Sequence, residues 1–326
     1  MSQPVPMVEI WRGPFLESVH NGHAVICDAT GSIVQSWGHP DLVVLSRSAS
    51  KMIQALPLIL SGAADAAGLT KAHLSFACAS HGSMPIHTKM AADWLRALDM
   101  SEADLRCGVQ YPYDRETEVA MIARGETPCQ LHNNCSGKHS GFLTLSKHLG
   151  AGLEYVEADH PVQNAVREQF ERVTDEASPG FGIDGCSAPN FASSLHGMAR
   201  AMAHFAASPA DSAEARLHEA MRLHPEYIAG EDRTCTAMMR AMDGKVAVKT
   251  GAEGFYTAIL PEQKLGIALK IADGTTRASE CAMAAILVKL GALSSDHPVT
   301  TRFVNAPITN RRGITTGYLR PAPALL

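Results

Sequence analysis

The sequence predicts an α+β fold, in which an antiparallel sheet is covered by helices and a helical lobe is inserted between two groups of strands. Short β-branched and apolar runs, separated by turn residues, fill the first part of the chain and recur near its end, whereas helical patterns dominate the long stretch between them. The two strand groups can pair into one sheet, covered by the first and last helices. We therefore expect a single domain over residues 1–326, with a sheet lobe from residues 1–47 and 245–326 and a helical lobe from residues 48–244.

Composition narrows the class of protein. The 326 residues are 46% hydrophobic and 19% charged, with a net charge of -5, as in an ordinary globular protein. No basic run offers a footprint for nucleic acid, and no apolar stretch is long enough for a membrane span. The N-terminus lacks a secretory pattern, so we expect a cytoplasmic protein whose eight cysteines are reduced thiols, some of them available to a metal.

The first strands are predicted from apolar, β-branched runs. Residues 8–12 form a short opening strand, and residues 23–28 and 32–37 form a hairpin around Ala29-Thr30-Gly31. A further apolar piece, residues 41–45, leads directly into a serine-rich stretch. The order is therefore strands first, then a helix.

The middle of the chain alternates helical patterns with polar loops. A break is expected at Pro57 inside the first helix, and Asp159 is a plausible cap for a later one. Residues 74–82 look like a short buried, strand-like run that ends in a polar turn. The predicted helices span residues 50–67, 85–98, 117–125, 139–149, 161–174, 191–206 and 211–223.

The C-terminal part returns to strands. Residues 245–251 begin this region, and residues 254–260 and 265–271 form a hairpin. An alanine-rich helix over residues 275–292 follows, and residues 321–326 are expected to be a loose tail.

Ser48 and Lys51 form the first candidate site. If a helix begins near Ser48, the lysine lies one turn beyond the hydroxyl on the same face. A neutral lysine there can take the proton of the serine and make it an acylating nucleophile. Alone the pair is weak evidence, because a polar helix start facing solvent has the same pattern.

Lys249-Thr250-Gly251 at the end of a strand strengthens that interpretation. Ser-x-x-Lys on a helix and Lys-Thr-Gly on a strand is the arrangement of penicillin-binding proteins and serine β-lactamases. A second lysine would favour the neutral form of Lys51, and backbone amides near Ser48 and after Lys249 could form an oxyanion hole. The competing interpretation is an ordinary surface strand end.

Two further polar loops contain reactive groups. Cys135 and Lys138 in one loop and Cys186 in another could share a zinc ion, although the spacing is not that of a zinc finger and two unmetallated thiols are an alternative. Ser80, before His81, is a candidate for a further hydroxyl between the lysines, or alternatively a helix cap.

Together these strings resemble the Rhizobium etli-type (class 3) L-asparaginases over nearly the whole chain. The matching strings are Ser46–Lys51, Ala79–His81, Asn133–His139, Asp184–Cys186 and Lys249–Gly251. Asn-Asn-Cys-Ser-Gly-Lys-His is the most specific, because generic β-lactamases have nothing like it. The resemblance implies a β-lactamase-like fold, a homodimer, and hydrolysis of L-asparagine to L-aspartate and ammonia.

The resemblance also implies two Ser-Lys tandems and a metal site. Ser48 with Lys51 is one tandem and Ser80 with Lys249 the other, and which serine attacks stays open. Less favoured second lysines are Lys264 and Lys270. The implied zinc ligands are Cys135, Lys138 and Cys186, with Asp184 beside them, and the metal would support substrate binding. The residues expected to contact substrate are Arg47, His81, Asn133, Ser136, His139 and Gly251.

Two other functions fit the same residues. One is a related acyl-enzyme hydrolase, such as a glutaminase, a D-peptidase or a β-lactamase. The other is a zinc- and amino-acid-binding module without catalysis. Retention of both serines and both lysines favours an enzyme.

Overall fold

The computed structural model describes residues 3–326, and the chain within it divides into two units. The sheet unit consists of the residues up to Ala49, Ser193–Ala207 and Ala237–Leu326. The helical unit consists of Ser50–Ala192 and Ser208–Thr236. Sequence-based boundaries place residues 193–207 in the helical lobe, whereas their contacts place them in the sheet unit.

The strands occur at both ends of the chain, as expected, with two short additions in the middle and two near the C-terminus. They are β1 (Val5–Arg12), β2 (Phe15–Cys27), β3 (Ile33–Trp37), β4 (Val43–Leu45), β5 (Phe181–Ile183), β6 (Pro189–Ser194), β7 (Ala247–Thr250), β8 (Phe255–Leu260), β9 (Leu265–Ile271), β10 (Ala306–Thr309) and β11 (Thr315–Pro321).

The helices fill most of the chain between β4 and β7. They are α1 (Lys51–Gln54), α2 (Leu56–Leu60), α3 (Ala63–Ala66), α4 (Lys71–Ala77), α5 (Pro85–Ala97), α6 (Arg115–Ala123), α7 (Ser136–His148), α8 (Pro161–Thr174), α9 (Leu195–Ala207), α10 (Ala213–Leu223), α11 (Pro225–Ile228), α12 (Thr234–Ala241) and α13 (Thr276–Lys289).

The sheet unit joins the two groups of strands into one antiparallel sheet. Its order is β10-β11-β1-β2-β9-β8-β7, with β3 paired to β2. The junction is the β2–β9 ladder, which runs from Gly22 opposite Ile271 to Cys27 opposite Gly266. The predicted pairing of strands distant in sequence is confirmed.

Helices α9 and α13 pack on this sheet, and both contact β8 and β9. All six residues of β8 are buried, as expected for a strand covered on both faces. Gly266 allows α9 to approach closely, because a Cβ there would lie 1.9 Å from the backbone nitrogen of Ala203. The missing side chain of Gly266 therefore lets the backbones of α9 and β9 lie in close contact.

The helical unit is built around α7, which contacts α2, α3, α4, α5 and α8. Its first eleven residues, from Ser136 to Ser146, are all buried although they include Lys138 and His139. Buried charged and titratable side chains require partners. The N-terminal half of α7 is therefore not packed as an ordinary apolar core helix.

Several predicted helices have different boundaries in the structure. The strand-like interpretation of residues 74–82 is wrong, because α4 continues to Ala77 before the polar turn. The helix expected over residues 50–67 is three short helices, with Pro57 in the first turn of α2, where its missing N–H is tolerated. Residues 191–194 belong to β6 and not to the following helix.

The N-cap of α8 and the C-terminal segment also differ from expectation. His160, and not Asp159, caps α8 by accepting a hydrogen bond from the backbone N–H of Val162. The C-terminus is not a loose tail, because Trp37 donates to the carbonyl oxygen of Ala324 at 3.0 Å and Leu325 is buried. Among residues 3–326, no helix has both the length and the apolar character needed to cross a bilayer.

Candidate functional site

Ser48 lies in a tight turn between strand and helix. Residues Arg47–Ser50 form a 3₁₀ turn that runs directly into α1, which begins at Lys51. Arg47 has φ of +51°, a left-handed conformation that is uncommon for a residue other than glycine. Ser48 is partly exposed and Lys51 is fully buried. A reachable hydroxyl and a desolvated amine are what Ser-Lys chemistry needs.

The Lys-Thr-Gly strand end packs against that same turn within the sheet unit. A Cβ added at Gly251 would lie 2.4 Å from the carbonyl oxygen of Ser46 and 3.2 Å from the backbone nitrogen of Ala49. Thr257, opposite Lys249 in the β7–β8 ladder, donates to the carbonyl oxygen of Ala49 at 3.1 Å. The two predicted motifs are therefore neighbours.

Lys249 is buried, and its Nζ donates to the carbonyl oxygen of Thr250 at 2.8 Å. Of the less favoured second lysines, Lys264 is exposed and Lys270 donates to the carbonyl oxygen of Glu253 at 2.8 Å. A buried position on the strand next to the Ser48 turn makes Lys249 the better candidate.

Ser80 begins a loop that backbone hydrogen bonds hold within the helical unit. The N–H of Ser80 donates to Ile228 O at 2.8 Å, and the N–H of Gly82 donates to Ala229 O at 2.8 Å. Between them, the N–H of His81 donates to Asn134 O at 3.2 Å. This loop is thereby fixed beside the Asn133–His139 string, and Ser80 itself is partly exposed.

Lys51 contacts both this loop and Cys135. Its Nζ lies 2.9 Å from Ser80 Oγ and 3.1 Å from Cys135 Sγ, and it also contacts the carbonyl oxygen of Ala79. An ammonium has three N–H donors, which these three acceptors occupy. A neutral amine has a lone pair instead of one N–H, and the Ser80 hydroxyl can donate to it. The geometry thus suits proton exchange between Lys51 and Ser80.

Cys135, Lys138 and Cys186 lie close together within the helical unit. Lys138 Nζ lies 3.0 Å from Cys186 Sγ, and the charge of Cys135 also acts on Lys138. All three residues are buried. Asp184 is nearby and contributes negative charge at Lys138.

The surroundings shift the pKa values of the two cysteines in opposite directions. A hydrogen bond from Cys135 lowers the pKa of Cys186 well below its usual value; burial opposes that, and the charge of Lys138 reinforces it. The same hydrogen bond, together with burial, raises the pKa of Cys135. Burial disfavours the ammonium of Lys138, but the negative charges of Cys186, Cys135 and Asp184 outweigh burial and raise the pKa of Lys138. The electrostatics of the cluster therefore favour the thiolate form at Cys186 over that at Cys135.

The donor set of this cluster fits a metal ion that prefers sulfur and nitrogen. Within residues 3–326, no three His, Cys, Asp or Glu side chains are grouped to hold a metal. A site here therefore depends on the Lys138 amine as a third donor beside the two thiols, and metal binding would displace its proton.

The residues expected to contact substrate have mixed roles. Asn133 donates to Cys107 O and Gly108 O and accepts from the Cys135 N–H at 2.9 Å, so its amide holds the loop together. His81 and Ser136 are buried, and His81 Nε2 lies 2.9 Å from Ser136 Oγ.

His139 is also buried, with Nδ1 2.9 Å from the hydroxyl of Tyr155. Burial lowers the pKa of both His81 and His139, which favours the neutral form of each ring. Tyr155 was missed by sequence reasoning, because it lies between α7 and α8 and no motif marks it.

Comparison with known proteins identifies the chain at the level of its family. Three solved structures resemble it at low identity. The native form of Mglu is 12% identical over 85% of this chain and 65% of that one, with a TM-score of 0.49. An octameric penicillin-binding protein homologue from Pyrococcus abyssi is 13% identical over 97% and 84%, with a TM-score of 0.37. A β-lactamase from Mycobacterium bovis is 11% identical over 82% and 94%, with a TM-score of 0.34.

This chain thus spans 65% of the length of Mglu. No curated protein matches its sequence. The model of one protein family, described as L-asparaginase II, matches residues 8–321, which is nearly the whole sequence. The sequence-based resemblance is confirmed at the level of the family: the chain belongs to the L-asparaginase II family.

Proposed function

We propose that this protein hydrolyses L-asparagine to L-aspartate and ammonia through a serine acyl-enzyme. The observation that carries the proposal is Lys51, a fully buried amine whose Nζ lies 2.9 Å from the Oγ of Ser80. Membership of the L-asparaginase II family supports the choice of a side-chain amide as the substrate.

Ser48 is the proposed nucleophile and Lys51 its base. Neutral Lys51 accepts the hydroxyl proton as Ser48 Oγ bonds to the carboxamide carbon, and it returns a proton to the nitrogen as the C–N bond breaks. Ammonia leaves, and water then cleaves the aspartyl ester with the same base. Ser80, which touches Lys51, relays protons in this scheme together with Lys249. The mirror assignment makes Ser80 the nucleophile.

Backbone N–H groups near Ser48 and after Lys249 are the proposed donors to the tetrahedral oxyanion. The close approach of Gly251 to the Ser46–Ala49 turn supports this, since it brings both backbones to one place. Arg47 is the proposed partner of the substrate carboxylate, because its guanidinium can bind a carboxylate in a bidentate manner.

Zinc is the proposed metal, held by Cys135, Lys138 and Cys186 with Asp184 alongside. A bound zinc ion would supply fixed positive charge for orienting polar groups of the substrate. The residues of the chain perform the acyl transfer in this proposal, so metal removal by a chelator should raise KM more than it lowers kcat.

A homodimer in the cytoplasm remains the expected state, and light scattering of the purified protein tests the dimer.

The decisive experiment is ammonia release from L-asparagine and L-glutamine by the parent protein and by Ser48→Ala and Ser80→Ala. We expect release from asparagine that Ser48→Ala abolishes, and mass spectrometry of quenched reactions should find an aspartyl adduct on the Ser48 peptide. An adduct on the Ser80 peptide would establish the mirror assignment. Near-parental release by Ser48→Ala with no adduct on either peptide would overturn the serine mechanism.

Assays of the same proteins distinguish the proposed activity from the alternative functions. Faster release from glutamine would make the protein a glutaminase, and turnover of nitrocefin would indicate a β-lactamase. Binding of zinc and asparagine without ammonia release would indicate a non-catalytic module.

A further inference from the structure

A cavity of about 440 Å³ lies in the helical unit, bordered by α3, the start of α4, the last turns of α5 and the last turns of α7. Small residues leave this space open. They are Ala63, Ala66, Ala67, Gly68 and Ala97. A Cβ added at Gly68 would meet nothing within 4 Å. The volume of the cavity is typical of sites that bind small organic molecules.

The cavity and the cluster of Cys135, Lys138 and Cys186 lie at opposite ends of α7. Lys138 is in the first turn of that helix, whereas Thr144 and Lys147, which border the cavity, come later. At the helical rise per residue, Thr144 lies about 9 Å and Lys147 about 14 Å farther along the axis. The residues proposed for catalysis and for metal binding do not border the cavity, so a ligand there would occupy a separate site.

The inner wall of the cavity is apolar, and its polar atoms are already paired. Trp94 is 1% exposed, and its indole N–H donates to Thr144 Oγ1 at 3.0 Å. The Thr144 hydroxyl in turn donates to Ser140 O at 2.8 Å. Leu69 and Leu98 complete this wall. A ligand that fills the space must therefore have an apolar body, which asparagine and aspartate lack.

Two side chains at the rim have hydrogen-bond donors to spare. The Lys147 ammonium has three N–H groups, and two of them donate to Leu98 O at 2.6 Å and Asp99 Oδ2 at 3.3 Å. His73 Nδ1 accepts from the backbone N–H of Thr70 at 3.3 Å, so a neutral ring has its hydrogen on Nε2. Neither the third N–H of Lys147 nor Nε2 of His73 has a partner among residues 3–326.

Asp93, the carboxylate that borders the cavity, already has two cationic partners. One of its oxygens contacts Lys89, and the other accepts from Arg96 at 2.6 Å. His148, also at the rim, lies with Nε2 3.0 Å from a backbone carbonyl oxygen, to which it donates. A ligand amine would therefore meet the charge of Lys147 and an engaged carboxylate, whereas a ligand carboxylate would accept from the spare donors.

We propose that this cavity binds a carboxylic acid with an apolar body, at a site separate from the hydrolytic centre. The apolar body packs against Trp94 and the alanines, and the carboxylate accepts from Lys147 and His73. At about 30 Å³ for each non-hydrogen atom, the cavity holds about 15 such atoms, which is the size of a bicyclic arylacetic acid. The inference goes beyond the proposed function and does not depend on it.

The first test is isothermal titration calorimetry of the full chain with 1-naphthylacetate. We expect one saturable site per chain with a Kd below about 1 mM. 1-Naphthylacetamide has the same apolar body and no charge, so it should bind about tenfold more weakly. Absence of saturable binding of the acid, or equal affinity for the amide, would overturn the proposal.

Two alanine variants locate the bound acid. Ala97 and Ala123 are exposed and end α5 and α6, but only Ala97 borders the cavity. Ala97→Phe should fill the space and weaken binding of 1-naphthylacetate about tenfold or more, whereas Ala123→Phe should bind it like the parent. Parental affinity in Ala97→Phe would place the acid elsewhere and refute the site.

Two lysine variants test the role of charge. Lys147→Met should weaken binding of 1-naphthylacetate about tenfold and leave binding of the amide unchanged. Lys89→Met removes an exposed positive charge that does not border the cavity, so it should change neither affinity more than about twofold. An equal loss for acid and amide in Lys147→Met would mean that the lysine acts through packing, and would refute its role as partner of the carboxylate.

Indole ¹H–¹⁵N signals locate the site in the parent protein itself. Of the three tryptophans, Trp94 borders the cavity, whereas Trp11 and Trp37 lie in the sheet unit. 1-Naphthylacetate should shift the Trp94 signal and leave the other two in place, and Trp11→Phe and Trp37→Phe assign the signals. An unshifted Trp94 signal at saturation would refute the site. If a second copy of the chain fills the cavity instead, the acid will not bind and Ala97→Phe will lower the mass found by light scattering, which would also overturn the proposal.

Discussion

The Nζ of Lys51 lies 2.9 Å from the Oγ of Ser80, although 29 positions separate the two residues in sequence. Sequence reasoning couples Lys51 to Ser48 and Ser80 to Lys249. The structure adds a link between the two expected pairs, because Lys51 contacts the second serine. A proton taken up by Lys51 therefore has a hydroxyl within reach, as a relay between two tandems requires.

Replacing Lys51 by Met should remove most of the activity. Met has a similar length and no amine, so the base is lost while the buried volume is largely kept. We expect kcat for asparagine to fall about 10³-fold or more, measured by ammonia release. Lys264→Met removes an exposed lysine and should have parental activity. A Lys51→Met variant within tenfold of the parent would exclude the lysine as base.

Gly251→Ala should displace the Ser48 turn. The added methyl would lie 2.4 Å from Ser46 O, a backbone atom that cannot move without moving the turn. A shift of about 1 Å can cost about 100-fold, so we expect such a fall in kcat/KM with a native circular dichroism spectrum. Gly152→Ala, where a Cβ meets nothing within 4 Å, is the control. Parental kcat/KM in Gly251→Ala would show that the turn is tolerant.

His218 should make the fold sensitive to acid. Burial, with a smaller contribution from Arg222, lowers the pKa of His218 from 6.5 to about 4, against the opposing charge of Glu219. Between pH 6.5 and 4 the unfolded chain then binds more protons, so stability falls as the pH falls. The difference amounts to about 3 kcal/mol once the pH reaches 4.

Urea unfolding of the parent and His218→Asn at pH 7.5 and 4 checks this. The loss of unfolding free energy between the two pH values should be smaller in His218→Asn by about 3 kcal/mol. His148→Asn, which removes an exposed histidine, should behave like the parent. An equal acid loss in all three proteins would contradict the assignment to His218.

The C-terminal segment should contribute measurably to stability. Leu325 is 1% exposed and Leu326 is 66% exposed, so the two adjacent leucines form a matched pair. Leu325→Ala should lower the free energy of unfolding by about 2–4 kcal/mol, whereas Leu326→Ala should change it little. Equal effects in chemical denaturation would mean that the terminus is not docked in solution.

Much of the sheet could be predicted because its strands follow short-range rules. Alternation of β-branched residues and turn signals found β3 and the β8–β9 hairpin close to their observed limits. β10 and β11 were missed because they contain polar residues and proline, as in Pro307. β10 pairs with β11, and the pairing of β11 with β1 is a long-range contact that no local pattern shows.

The candidate site was predicted through motifs, and the parts without motifs were missed. Cys135, Lys138 and Cys186 were grouped because two thiols in polar loops could share a metal ion and because the family resemblance implies that set. The roles of Asn133 and Tyr155 depend on which backbone groups lie within 3 Å of them, and only the fold determines that. The contact between Lys51 and Ser80 is of the same kind.

The chain passes between its two units four times, at residues 49–50, 192–193, 207–208 and 236–237. No single cut can therefore release either unit whole, and gene fusion or truncation at one boundary would leave fragments of both. During synthesis, β1 and β2 emerge long before their partners β11 and β9, whose residues lie about 240–310 positions later. The outer edges of the β1–β2 hairpin therefore stay unpaired until the C-terminal strands have been synthesised. Unpaired strand edges favour aggregation, so we expect chaperones to bind the nascent chain.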